Sequence, residues 1–146
     1  MCVEERPCCE ADRRVIKLSL SKKDTDPVTL LCLGAHADDI EIGCGGTLLY
    51  LKSNLPRLRF HWVVLSASGL RGQEAAKAAE LFTAGRDKEV VLKDYRDGFL
   101  PYNGGEVKDF FEQMKSQVNP DLIFTPWYGD AHQDHRLVSE ARLEYL

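Results

Sequence analysis

Between His36 and Glu41 the chain reads His-Ala-Asp-Asp-Ile-Glu, an imidazole and three carboxylates within six residues. Charges packed that closely repel one another, and burying them without a counter-charge is expensive. A divalent cation removes the difficulty, because imidazole nitrogen and carboxylate oxygen are ordinary ligands for zinc and its neighbours. A second segment, Asp130-Ala131-His132-Gln133-Asp134-His135, repeats the composition. Three of the four histidines lie in these two segments. The fourth, His61, alternates with apolar residues along a strand and reads as structural. Each segment alone has a plainer explanation: acids at a helix N-terminus, which cap it and complement its dipole, or ordinary surface polarity. Together, at corresponding strand ends, they point to one metal site assembled from two loops.

The elements that must position these residues follow from hydrophobic periodicity. Val28–Leu33 and Phe60–Leu65 are short apolar runs, the signature of strands buried on both faces, and Glu89–Leu92 and Leu122–Thr125 read the same way. Between them the spacing predicts helices over Gly43–Asn54, Gln73–Ala84 and Gly105–Val118. The last carries Val107, Phe110, Phe111, Met114 and Val118 on one face. A final helix is expected over His135–Leu146. Strands alternating with helices predict an α/β fold around a mainly parallel sheet. For His36 and His135 to share one ion, the first and fourth strands must be neighbours. The strand order is then 3-2-1-4, with the site in the crevice where the order reverses.

Glycine-rich Gly43-Cys44-Gly45-Gly46 follows the first loop, but its spacing is not that of a dinucleotide-binding fingerprint, and no acid ends the second strand. The glycines are expected to let the first helix pack closely under the metal loop. Composition bounds the rest. With 146 residues, 44% of them apolar and 29% charged, the chain suits one globular domain. A net charge of −4 without a basic cluster argues against a nucleic-acid partner. No apolar run approaches the roughly 20 residues that span a bilayer, and the N-terminus lacks a signal-peptide core, so the expected compartment is the cytoplasm. The five cysteines (Cys2, Cys8, Cys9, Cys32 and Cys44) are odd in number and are not read as a disulfide framework. Residues 1–27 are expected to be a leader, with Arg14–Ser21 alternating like an edge strand, and residues 28–146 the domain proper.

Four motifs, in order, carry a resemblance. Ala35–Leu48 (AHADDIEIGCGGTL) resembles the first signature of the LmbE-like (PIG-L) deacetylases, and Asp130–His135 (DAHQDH) resembles their second. Arg71-Gly72-Gln73-Glu74-Ala75 is similar to the family's helix start between them, and Asp97-Gly98-Phe99-Leu100 to a family loop. The resemblance implies a Rossmann-like three-layer sandwich and a zinc ion held by His36, Asp39 and His135; Fe2+ suits the same ligands. It implies Asp38 as general base, His132 as a second catalytic group, and Arg71 and Asp97 as substrate contacts. It also implies that an N-acetylated amino sugar or glycoconjugate loses acetate to a zinc-activated water. Homo-oligomerisation is left open. Alanine at position 37 replaces the usual proline without removing a functional group. Family members typically continue beyond the point matching Leu146, so a shortened or N-terminal portion of a member is expected. The rival readings are a metal-binding domain without activity and a metal-dependent phosphoesterase.

Overall fold

The computed structural model describes residue 20 and residues 26–142 of the chain. The cysteines at positions 2, 8 and 9, and the alternating stretch from 14 to 21 apart from Leu20, lie outside the described residues. Leu20 itself packs against one of the two cores.

Four strands, β1 (Val28–His36), β2 (Leu58–Ser66), β3 (Asp87–Leu92) and β4 (Leu122–Phe124), form one sheet in the order β3-β2-β1-β4. All pairings are parallel. The helices are α1 (Asp39–Asn54), α2 (Gly69–Thr83), α3 (Gly104–Lys115) and α4 (Gln133–Ala141), with one 3-10 turn at Leu100–Asn103. The expected α/β class and strand order are both observed.

Period-two alternation in the central strands divides the interior in two. Leu30, Cys32, Phe60, Trp62 and Val64 face α1 and α2, meeting Ile40, Leu48, Ala75 and Ala79. Leu31, Leu33, Val63 and Leu65 face the other way, onto Val107, Phe111, Met114 and Val138 of α3 and α4. Both faces being covered is why the strands read as unbroken apolar runs. Each fully buried Leu, Phe or Val contributes about 1.5–3 kcal/mol relative to exposure, which fixes the sheet as the rigid base for its loops.

Several boundaries differ from the sequence expectation. β1 runs on to His36, so this imidazole stands at the strand's last residue. α1 begins at Asp39, four residues before the expected start, and the glycine-rich segment lies inside the helix. Of those glycines only Gly45 meets a neighbour closely: a Cβ there would stand 2.8 Å from Phe82 of α2, while Gly43 and Gly46 face open space. The close packing is therefore helix against helix, not helix against metal loop. α2 begins at Gly69, which has φ +58°, a conformation that favours glycine. Arg71 consequently stands in the first turn of α2 rather than in a loop.

Candidate metal centre

The site forms where β1 and β4 lie side by side, because parallel neighbours deliver their carboxyl-end loops to the same edge. Leu30, Leu31 and Cys32 pair with Leu122, Ile123 and Phe124. His36 and His135, 99 residues apart, thereby come within 3.2 Å, Nδ1 to Nε2.

Asp39 completes this group. Its Oδ2 accepts the backbone N–H groups of Ala35 (2.8 Å) and His36 (2.9 Å), which fixes the carboxylate and leaves Oδ1 3.2 Å from His135 Nε2. His36 Nδ1 lies 3.7 Å from Oδ2. In a tetrahedral zinc site with bonds of about 2.0–2.1 Å, donor atoms stand roughly 3.3–3.5 Å apart. The two separations of 3.2 Å share His135 Nε2 and are close to that spacing, whereas the 3.7 Å contact of His36 Nδ1 is with the other oxygen of Asp39.

The outer ring nitrogens make a second pattern. His36 Nε2 lies 3.1 Å from Asp97 Oδ1 and 3.3 Å from Asp134 Oδ2. His135 Nδ1 lies 3.1 Å from Asp130 Oδ2. A carboxylate behind an imidazole selects the tautomer that leaves the opposite nitrogen as a lone-pair donor. Contact with Asp39 raises the pKa of His36 against the opposing effect of burial. For Asp39, burial pushes upward, but hydrogen bonds from the His36 ring and amide, with the two imidazole charges, hold it below the usual carboxylate range. The His132 amide and the His135 ring likewise lower Asp130.

His132 differs from the other two. It caps α4, with Nδ1 accepting the Asp134 N–H at 3.2 Å. One of its ring nitrogens still lies within 4.8 Å of nitrogens of His36 and His135, so three imidazoles converge. His36, Asp97 and Asp134 form a second group of potential metal donors. Asp38 precedes α1 but makes no capping hydrogen bond, so its exposed carboxylate is not consumed by the helix end. It lines a cleft of about 470 Å³ with Asp39 and His135. Arg71 Nη1 reaches Asp97 Oδ2 at 3.0 Å, an exposed pair that lies outside the lining of this cleft.

Two further groups in or beside the second motif shape the site. Asp134 is fully buried, accepting the amides of Gly98 (2.8 Å) and Leu100 (3.2 Å) besides facing His36. Arg136 bonds the carbonyls of Asp130 and Ala131 at 2.8 and 2.7 Å and so sets the shape of the loop. The only sequence signal for either was position within or next to the second motif.

Comparison with known proteins agrees with this architecture. The PIG-L family, described as GlcNAc-PI de-N-acetylase, matches residues 31–146. The chain is 28% identical over 122 residues to the uncharacterized deacetylase YaiS of Escherichia coli, covering 78% of this chain and 65% of that protein. The conserved protein TT1542 of Thermus thermophilus aligns with a TM-score of 0.63 at 27% identity, over 80% of this chain and 54% of its own. The N,N'-diacetylchitobiose deacetylase of Pyrococcus horikoshii aligns with a TM-score of 0.61 at 25% identity, over 88% and 52%. The chain thus spans between half and two thirds of the length of these relatives. With four motifs in order, one sheet topology and a matched stretch covering most of its length, the chain belongs to the PIG-L family.

Proposed function

We propose that this chain holds one divalent metal ion, zinc in the first instance, between His36, Asp39 and His135 and hydrolyses the acetamide of an N-acetylated amino sugar. The observation that carries the reading is the paired arrangement of His36 and His135: inner nitrogens 3.2 Å apart, each outer nitrogen backed by a carboxylate. The Nδ1 side of His36 is favoured over its Nε2 side because backbone amides engage both oxygens of Asp134 but only Oδ2 of Asp39. An ion in this position supplies Lewis-acid polarisation of the carbonyl and makes water acidic enough to deprotonate near neutral pH.

Asp38, exposed and free of capping duty, takes the proton of the attacking water. Since His132 Nδ1 accepts an amide N–H, the proton of its neutral ring sits on Nε2. That N–H can donate to the oxygen that gains charge during attack, or to the departing amine. Arg71 and Asp97, paired with each other and joined to the centre through Asp97 and His36, are the contacts for the polar groups of the sugar, Arg71 through its planar fork of donors. The balance is one amide and one water to one amine and one acetate.

The test is acetate release from a panel of N-acetylated amino sugars, with metal content measured on the same sample. Release that tracks metal loading supports the reading. A fully loaded protein that frees acetate from none of them overturns it.

A further inference from the structure

The cleft that contains Asp38, Asp39 and His135 is lined on the α1 side by Ile40, Ile42 and Cys44. Beyond the carboxylates it continues over Phe124, Thr125, Pro126 and Trp127. The indole of Trp127 is 67% exposed, an unusual state for the largest apolar side chain. Its position is built rather than accidental: a Cβ on Gly129 would stand 2.6 Å from both Cζ2 and Cη2 of the ring, so the indole lies back directly over a residue with no side chain. The Tyr128 ring meets it edge-on at 5.8 Å. Thr125 Oγ1, on the same wall, is buried without a hydrogen-bond partner among the described residues.

We infer that Trp127, seated on Gly129, is a stacking platform for the apolar C–H face of a pyranose ring and so a specificity-determining residue for carbohydrate amides. This deepens the proposed deacetylase reading and rests on it for the position of the scissile amide. The chemistry of the cleft favours a sugar over an acyl chain. A pyranose offers hydroxyls to Asp38 and Asp130 on one side and a flat C–H surface to the indole on the other. An aliphatic chain would cover those carboxylates without replacing their hydrogen bonds to water.

The chain contains two tryptophans, and Trp62 is fully buried, so the solvent-sensitive emission belongs to Trp127. Metal-loaded protein is titrated with N-acetylglucosamine, its β-1,4-linked dimer, N-octanoylamine and, as a ringless control, acetamide. The sugars are expected to shift the emission to shorter wavelength and shield it from acrylamide, and acetamide is not. By calorimetry, Trp127→Ala should weaken sugar binding about tenfold and Trp127→Phe by less than about threefold, the range expected for losing or keeping an aromatic contact. Gly129→Ala, which lifts the ring but keeps it, should weaken binding in the same direction; unchanged metal content and melting temperature show that each variant is folded. Sugar shielding of Trp127 without acetate release supports the platform and overturns the deacetylase reading. Acetate release from a sugar that leaves Trp127 emission and the Trp127→Ala affinity unchanged overturns the platform and leaves that reading intact. Shielding by N-octanoylamine and not by sugars also overturns the platform.

Discussion

His61 lies in the middle of β2 with Nδ1 3.2 Å from one carboxylate, that of Glu89. His36 lies at the end of β1 with Asp39, Asp97 and Asp134 within 3.1–3.7 Å. Both are shielded from solvent, yet burial dominates at His61 and lowers its pKa, whereas the contact with Asp39 dominates at His36 and raises it. At His61 burial and the Arg59 charge outweigh Glu89 and Asp87, whereas at His36 Asp39, Asp97 and Asp134 outweigh burial. A histidine beside an acid is therefore a poor marker of a site. What distinguishes His36 is its place at a strand end, where independent loops bring charge that the sheet core cannot accept.

That contrast can be broken by mutation. The largest effect is expected at the donors: His36→Ala, Asp39→Ala and His135→Ala should each lose most of about one bound metal equivalent and nearly all acetate release, while His61→Ala keeps its metal. Elemental analysis after dialysis decides it, and full occupancy in two of the three donor variants would remove the assignment. Next comes Asp38→Asn, which keeps shape and removes the base. Turnover should fall by about 10²–10⁴-fold with metal content intact; a variant that loses its metal instead would mean that the two adjacent aspartates have exchanged roles.

A smaller effect concerns stability. Asp134→Ala leaves the Gly98 and Leu100 amides without their buried acceptor, a loss of about 2–3 kcal/mol that a shift in urea midpoint would register. An unchanged midpoint would mean that water or a neighbour replaces the carboxylate.

The smallest belongs to His61. Its folded-state pKa is lowered, so the unfolded chain binds the proton first, and stability falls as pH drops below the ordinary imidazole value of about 6.5, levelling once the folded-state pKa is passed. His61→Gln should flatten that part of the profile relative to the parent protein. Equal slopes below pH 6.5 in the two would show that His61 titrates alike folded and unfolded.

Much of this architecture is legible in the amino-acid order, for identifiable reasons. The runs around Leu30–Leu33 and Phe60–Leu65 can only be strands covered on both sides, and two His/Asp motifs at strand ends imply the β1–β4 contact. The start of α1 is not legible, because Gly43, Gly45 and Gly46 read as a turn. Of the three only Gly45 is required by a neighbour, Phe82, which belongs to another helix. Nor does the sequence separate Asp130 from Asp134. One has 35% side-chain exposure and the other none, and the difference arises from amides of a loop some 34–36 residues away. Local patterns reveal which residues are able to act. Which of them are held still is decided by distant backbone.

The β1–β4 ladder is three residue pairs long, and with Val138 of α4 packed against Leu31 and Leu33 it sets the separation between the two halves of the centre. Everything between them, from α1 to the end of α3, reaches the site only through the few residues that lean over it. Loop-closure entropy rises only with the logarithm of length, about 0.6 kcal/mol for each doubling. Connections in this interval can thus lengthen or shorten at slight thermodynamic expense while His36 and His135 stay in register. The fold separates what must stay constant from what is free to change: ligand spacing is inherited from sheet geometry, and the surface offered to a substrate can diversify on the connecting segments.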